Sequence, residues 1–271
     1  MKERKWSGRI QRARDLEKTY PFAAEGLRFY QRVAEAQETL YRELLSRQNS
    51  SRAPQRDDSL RQELDFPFLL PRLQHFLSIV EENAPAALAQ STREIRSRNG
   101  DHSTEMLTRF WRDDSLSAED LDPVGSLLSW AFLQPYAECL ADQRNDETID
   151  GTPSTCPLCG SNPIVGVLRR EGDGARKSLV CMLCAHEWAF RRVYCASCGE
   201  EREPQMAFYS APEIPHVRVD VCDTCHTYLK SVDLTKAGLA VPIVDELATI
   251  PLDLWAREHG YHKLQTNLLG M

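Results

Sequence analysis

Eight of the nine cysteines stand in four Cys-x-x-Cys pairs: Cys156/Cys159, Cys181/Cys184, Cys195/Cys198 and Cys222/Cys225. No other feature restricts the fold as tightly. Two cysteines separated by two residues can close a tight turn that aims both sulfurs at one point. Two such turns together supply four thiolates in a tetrahedron, a donor set suited to zinc or to a single iron. Glycine follows the first and third pairs (Gly160 and Gly199), where the backbone of such a turn often needs positive φ. Residues 1–20 are rich in Lys and Arg and lack the apolar stretch of a secretory signal. The expected compartment is therefore the cytoplasm, where disulfides are disfavoured and clustered thiols read as metal ligands.

The pairs also repeat. Cys156 to Cys195 and Cys159 to Cys198 are each 39 residues, while Cys181 to Cys222 and Cys184 to Cys225 are each 41. Proline soon follows each first pair (Pro163, Pro204) and an aromatic each second pair (Trp188, Tyr228). The 21 and 23 residues inside the two copies can each hold a hairpin that leaves and returns. The expectation is two tandem modules with sequential pairing. Cys156, Cys159, Cys181 and Cys184 then bind one metal, and Cys195, Cys198, Cys222 and Cys225 another, with an interleaved arrangement as the alternative. Such units have little core, and a metal can supply the missing stability. Four thiolates leave no coordination position for water, which argues against hydrolysis at these metals. The spacing does not separate zinc from iron. His186 and His226, close behind two of the pairs, are expected beside the metals or at the surface, with a role as alternative ligands left open. Cys139 stands alone in an apolar pattern and reads as a buried, inert thiol.

The first 150 residues differ in kind. Apolar residues recur at helical spacing over 25–45 (Leu27, Tyr30, Val33, Ala34, Leu40, Tyr41, Leu44) and over 66–80 (Leu69, Leu73, Phe76, Leu77, Val80). A third helix is expected after Asp122-Pro123, an N-cap followed by a proline suited to the first helical position. Its buried stripe should be Val124, Leu127, Leu128, Ala131 and Leu140. Weaker helical patches lie near Leu16, Leu88 and Leu107, and residues 46–58 read as a loop. Short strand-like runs follow at 164–167, 178–180, 188–190, 206–209 and 216–221. The tail, 241–255, is helical again with Ile243, Leu247, Ile250 and Leu254 on one stripe, and Pro251 must kink it or start a second helix. The predicted class is α+β. An α-helical domain (1–150) precedes two rubredoxin-like or zinc-ribbon-like modules (151–192 and 193–232) and a C-terminal helical tail (233–271).

With 271 residues, a net charge of −7 and no apolar run of the ~20 residues a membrane helix needs, the chain reads as soluble and globular. Residues 151–232 carry nine Lys and Arg against nine Asp and Glu, so the positive footprint of a nucleic-acid-binding ribbon is missing. No GxSxG, P-loop or GxGxxG motif occurs, and an enzyme with its own small substrate is not expected.

The strings CPLCGSNPIVGVLR (from Cys156), CMLCAHEW (from Cys181), RVYCASCG (from Arg192) and CDTCHTYLK (from Cys222) resemble the FdhE-type formate dehydrogenase accessory proteins. So do LQPYAECLA (from Leu133) and PIVDELATIPLDLWAREHGY (from Pro242). The resemblance implies a cytoplasmic maturation factor that acts on the catalytic subunit of formate dehydrogenase. It also implies iron in rubredoxin-like sites, with zinc as the alternative. A rubredoxin-like protein donating electrons to that client is the second reading, and a nucleic-acid-binding zinc ribbon a lesser third. Client contact is expected in the ribbon region, near Arg191, Arg192 and the loops around the cysteine pairs. Two departures bear on geometry: His226 stands where glycine is common in the family, and Pro251 interrupts the tail helix.

Overall fold

The structure, a computed structural model, describes residues 4–48, 60, 61, 64–112, 122–144 and 152–271. Two compact units emerge: residues 1–10 with 29–146, and residues 11–28 with 147–271. Helices α1 (Arg4–Thr19) and α2 (Ala24–Gln48) each contribute to both. No local pattern in the sequence signals that 11–28 groups with the cysteine-bearing unit.

The first unit is helical, with most of α2 joined by α3 (Phe66–Asn83), α4 (Ala86–Ser97), α5 (Gly100–Arg112) and α6 (Pro123–Ala141). The expected stripes of α2 and α3 are buried at every residue named for them. Residues 46–48 extend α2, and the rest of the loop expected over 46–58 lies outside the described residues. Asp65 and Asp122 cap α3 and α6, their carboxylates accepting from Phe68 N at 3.2 Å and Val124 N at 3.1 Å. α6 departs from its expected stripe. Leu128 and Ala131 are buried, but Val124, Leu127 and Leu140 are only half-buried, and burial extends around the helix from Leu128 to Pro135. A helix apolar on all sides belongs inside a core rather than at its edge. Its one buried acid, Glu138, is paired with Arg9 at 2.7 Å and Lys5 at 3.0 Å. Cys139 is buried on the same helix.

The second unit is built on one seven-stranded sheet, in the order β3-β2-β1-β6-β5-β4 with β7 also on β6. The strands are β1 (Pro163–Glu171), β2 (Gly174–Cys181), β3 (Glu187–Phe190), β4 (Met206–Ser210), β5 (Val217–Cys222), β6 (Thr227–Asp233) and β7 (His262–Lys263). The order places two copies of one antiparallel three-stranded motif head to tail, β3-β2-β1 and then β6-β5-β4. The tandem ribbons therefore share a sheet, joined by parallel pairing of β1 with β6 (Gly166 with Ser231, Val167 with Val232, Leu168 with Asp233). Neither β6 nor β7 was expected from the sequence. β6 reads Thr-Tyr-Leu-Lys-Ser-Val-Asp, and Thr227, Lys230 and Ser231, which hide its strand pattern, are themselves buried.

The tail forms two helices, α7 (Pro242–Ala248) and α8 (Ile250–Glu258). Pro251 lies in the first turn of α8, where a missing N–H breaks no helical bond, so it begins a helix instead of kinking one. Of the expected tail stripe Leu247 is buried and Ile243 and Ile250 are half-buried, and most of the buried face lies elsewhere. Leu254 is 48% exposed, while Val244, Asp245, Glu246, Leu247, Leu252, Asp253 and Ala256 point inward. Periodicity read from apolar residues alone misses a face that carries buried charges. Among the described residues no helix is long and apolar enough to cross a membrane.

Gly166 sits where the two ribbons meet. A Cβ there would lie 2.2 Å from Ser231 Oγ and 3.2 Å from Ser231 Cβ, and Ser231 Oγ donates to Asp220 at 2.6 Å. Gly166→Ala is expected to destabilise the protein by about 1–3 kcal/mol, the usual cost of overpacking. Adding Ser231→Gly should recover part of the loss, as measured by urea midpoints.

Candidate metal centres

Each copy of the repeat brings its four sulfurs to one end of its hairpin. Cys156 and Cys159 form the turn before β1, and Cys181 and Cys184 the turn after β2. Cys195 and Cys198 precede β4, while Cys222 ends β5 and Cys225 lies between β5 and β6. The register sets Pro163 opposite Cys181 and Met206 opposite Cys222, which brings the two turns of each copy together. Because β1 and β6 run parallel, both sets fall at the same end of the sheet.

Within each set, all four sulfurs lie within 4.8 Å of one another. Cys156 and Cys184 are 3.6 Å apart and Cys159 and Cys181 3.4 Å. In the second set Cys195 and Cys225 are 3.6 Å apart and Cys198 and Cys222 3.7 Å. The grouping is sequential along the chain. These separations far exceed the ~2.05 Å of a disulfide. They match a tetrahedron of sulfurs about a metal, whose edge is about 3.8 Å when each metal–sulfur bond is about 2.3 Å. The donor set therefore fits a single zinc or iron ion.

The turns are built alike. Cys156 N donates to Ser161 O and Gly160 N to Cys156 O, both at 2.8 Å; Cys195 N donates to Glu200 O at 2.8 Å and Gly199 N to Cys195 O at 3.0 Å. Gly160 and Gly199 both have φ of +76°, as the turn requires. Main-chain N–H groups point at sulfur in both sets. Leu183 and Cys184 donate to Cys181 at 3.3 and 3.4 Å, and Ser197 and Cys198 to Cys195 at 3.4 and 3.5 Å. His226 and its counterpart in the first copy, Ala185, adopt φ of +54° and +52°. The departure from glycine thus leaves the turn in place, with a side chain held in the left-handed region. Neither His186 nor His226 belongs to a sulfur group; His186 stacks on Trp188 and His226 faces Tyr261.

The thiols titrate unevenly. In the first set, hydrogen bonds from Cys156, Cys181 and Cys184 hold Cys159 far below the usual thiol range. Burial raises Cys181, and the neighbouring thiols, Cys156 foremost, raise Cys184. In the second, burial opposes ionisation of Cys225 but hydrogen bonds from Thr227 and Cys198 outweigh it, lowering it to about 6. Burial pushes Cys195 up to about 12 and also raises Cys198. Packed sulfurs of this kind resist collecting several negative charges unless a cation compensates them, so metal binding releases protons and weakens as pH falls.

A group the sequence reading did not find supports the second set. Lys230 on β6 is fully buried and pairs with Glu246 at 3.0 Å and Asp253 at 2.5 Å. Lys263 on β7 pairs with the same two acids, reaching Asp253 at 2.9 Å. Tyr228 OH donates to Asp253 at 2.9 Å and Asn267 to Glu246 at 3.2 Å. Two cations balance two anions, and the start of β6, just after Cys225, is held against α7 and α8. Asp245 is likewise buried, accepting from Arg12 at 2.5 and 2.9 Å and lying 2.9 Å from His216 Nε2. Burial opposes its ionisation, but Arg12 and His216 keep its carboxyl below the usual range. The available signal was the acids interrupting apolar positions in VDELATIPLDLW.

The family model described as FdhE, central domain, matches residues 155–192, and that described as FdhE, C-terminal domain, matches residues 193–269. The chain is 27% identical to the FdhE homologue of Aquifex aeolicus over an alignment covering 99% of this chain and 96% of that one. With the homologue of Haemophilus ducreyi the identity is 32%, over 53% of this chain and 47% of the relative. The crystal structure of the FdhE protein from Pseudomonas aeruginosa superimposes with a TM-score of 0.75 at 24% identity, covering 98% of this chain and 96% of that one. At that identity the likeness establishes the fold.

Two outcomes test this description. Replacing Cys156 and Cys159 with serine should remove one metal equivalent and leave the other, as read by elemental analysis. Lys230→Met leaves Glu246 and Asp253 with one cation between them and should cost about 3–5 kcal/mol of stability, read from chemical denaturation.

Proposed function

We propose that this chain, similar to FdhE proteins over nearly its whole length, is an accessory protein in formate dehydrogenase maturation, binding metal at two four-cysteine centres and acting on the enzyme's catalytic subunit. The observation that carries the reading is the pair of four-sulfur groups within the region that the two FdhE family models match. Cys156, Cys159, Cys181 and Cys184 hold one metal and Cys195, Cys198, Cys222 and Cys225 the other. Iron is the proposed native metal, with zinc as the alternative. When bound, either ion ties together hairpins that have little core of their own, and iron adds a one-electron couple.

The centres themselves argue against an enzyme with its own small substrate, because four thiolates fill a tetrahedral ion and leave no place for water or substrate. The reading places the protein in the cytoplasm and its client contact on the ribbons. Two edge strands favour that surface: among the described residues β3 and β4 each pair on one side only, and β4 exposes Phe208 and Tyr209. Unpaired strand edges are ready-made contact sites. Of the two arginines expected there, Arg191 is engaged by Glu201 at 2.8 Å and lies over Tyr194, while Arg192 is exposed. The exposure of Cys198 favours a second reading, in which an iron centre passes electrons to the client.

The full-length chain, tagged and co-expressed with the catalytic subunit of formate dehydrogenase, should retain that subunit; failure to capture it contradicts the proposal. Metal analysis with a visible spectrum of anaerobically purified protein decides between iron and zinc. A zinc-only protein that fully restores formate dehydrogenase activity would exclude electron donation.

A further inference from the structure

The two centres share a donor set and differ in enclosure. Cys156, Cys159, Cys181 and Cys184 are all buried, none more than 4% exposed. In the second set Cys195 and Cys222 are buried, but Cys198 is exposed and Cys225 half-buried. The sulfurs of both sets receive the same kind of main-chain N–H donors. What differs is the cover over them, not what holds them.

The cover is written between the cysteines. The first centre has Pro157-Leu158 and Met182-Leu183 there, and the second has Ala196-Ser197 and Asp223-Thr224. Leu183 is fully buried and Met182 nearly so, and Met182 N donates to Asn162 O at 3.1 Å. Trp188 Nε1 donates to Pro153 O at 2.9 Å, tying down the chain that leads into the first pair. At the second centre three of the four corresponding residues face solvent, and Ala196 is half-buried. Ser197, Asp223 and Thr224 are exposed. Asp223 accepts from Tyr261 OH at 2.6 Å and Thr224 donates to Glu200 at 2.7 Å, both pairs lying at the surface.

We propose that the second centre is the exchangeable one, gaining and losing its metal by ligand substitution with small thiol or chelating donors, while the first keeps its metal as a fixed part of the fold. An incoming donor forms a bond to the metal as a cysteine–metal bond breaks, and the released thiolate takes a proton from water. At the second centre solvent reaches Cys198 and Cys225 directly. At the first, every sulfur is shielded, and the same step needs the chain to open locally. The proposal rests on the reading that both centres hold a metal.

The full-length protein loaded with two zinc equivalents is mixed with excess 4-(2-pyridylazo)resorcinol, and zinc transfer is followed by colour. In parallel, timed iodoacetamide alkylation is mapped by peptide mass. Release should occur in two equal phases whose rates differ by at least about tenfold, since only one centre requires local opening. Cys198 and Cys225 should be alkylated first and the four cysteines of the first centre last. Replacing Cys198 and Cys225 with serine should remove the fast phase alone. Ala196→Pro with Ser197→Leu copies the residues between the first centre's leading cysteines onto the second centre and should slow the fast phase. Two equivalents leaving in one phase, alkylation spread evenly over the eight cysteines, or a fast phase that survives in the serine variant would overturn the proposal. A protein that binds fewer than two equivalents would instead overturn the reading beneath it.

Discussion

β1 and β6 pair in parallel through only three registered positions, Gly166 with Ser231, Val167 with Val232 and Leu168 with Asp233. That short strip joins the two ribbons into a single sheet. It requires a residue without a side chain at 166, because Ser231 occupies the space a Cβ would need. Ser231 is itself committed to Asp220, which Lys177 reaches at 2.7 Å from the neighbouring copy of the repeat. The seam therefore sets a buried polar cluster, Ser231, Asp220 and Lys177, beside the buried apolar residues Val167, Leu168 and Val232, and a buried polar cluster loses far more when one partner is removed than it gains over an apolar replacement.

The same seam decides where the chemistry lies. Parallel pairing sends the first strand of one copy and the last strand of the other in the same direction, which sets both sulfur groups at one end of the sheet. The opposite ends of the two copies become the free edges β3 and β4. A head-to-tail arrangement of this type leaves its two ends chemically different. β3 is four residues long, whereas β4 carries the exposed Phe208 and Tyr209. The tail then packs on β6 through charges: Lys230 and Lys263 meet Glu246 and Asp253 out of water, so α7 and α8 dock in one register.

The cysteine pairs, the helical character of the first part and the capped start of α6 were legible in the sequence, because thiol spacing, apolar periodicity and an Asp-Pro start are local signals. The sequential grouping followed from the 39- and 41-residue repeat. The parallel seam was not legible, since nothing local marks which strand of one repeat meets which strand of the next. β6 was hidden for a related reason: Lys230 and Ser231 read as surface residues until their buried partners, sixteen or more residues away in α7 and α8 for Lys230, come into place. The tail stripe misled because its inward face mixes Val244 and Leu247 with Asp245, Glu246 and Asp253. The unequal cover of the two centres was written in the residues between the cysteines, yet those residues acquire that meaning only once burial is known.

X-ray absorption at the edge of the bound metal tests the central claim most directly. Two independent four-thiolate centres predict four sulfur neighbours at about 2.3 Å around each ion, with no nitrogen or oxygen in the shell and no second metal nearby. A spectrum requiring a histidine nitrogen or a water oxygen at either ion, or a short metal–metal distance, would contradict it.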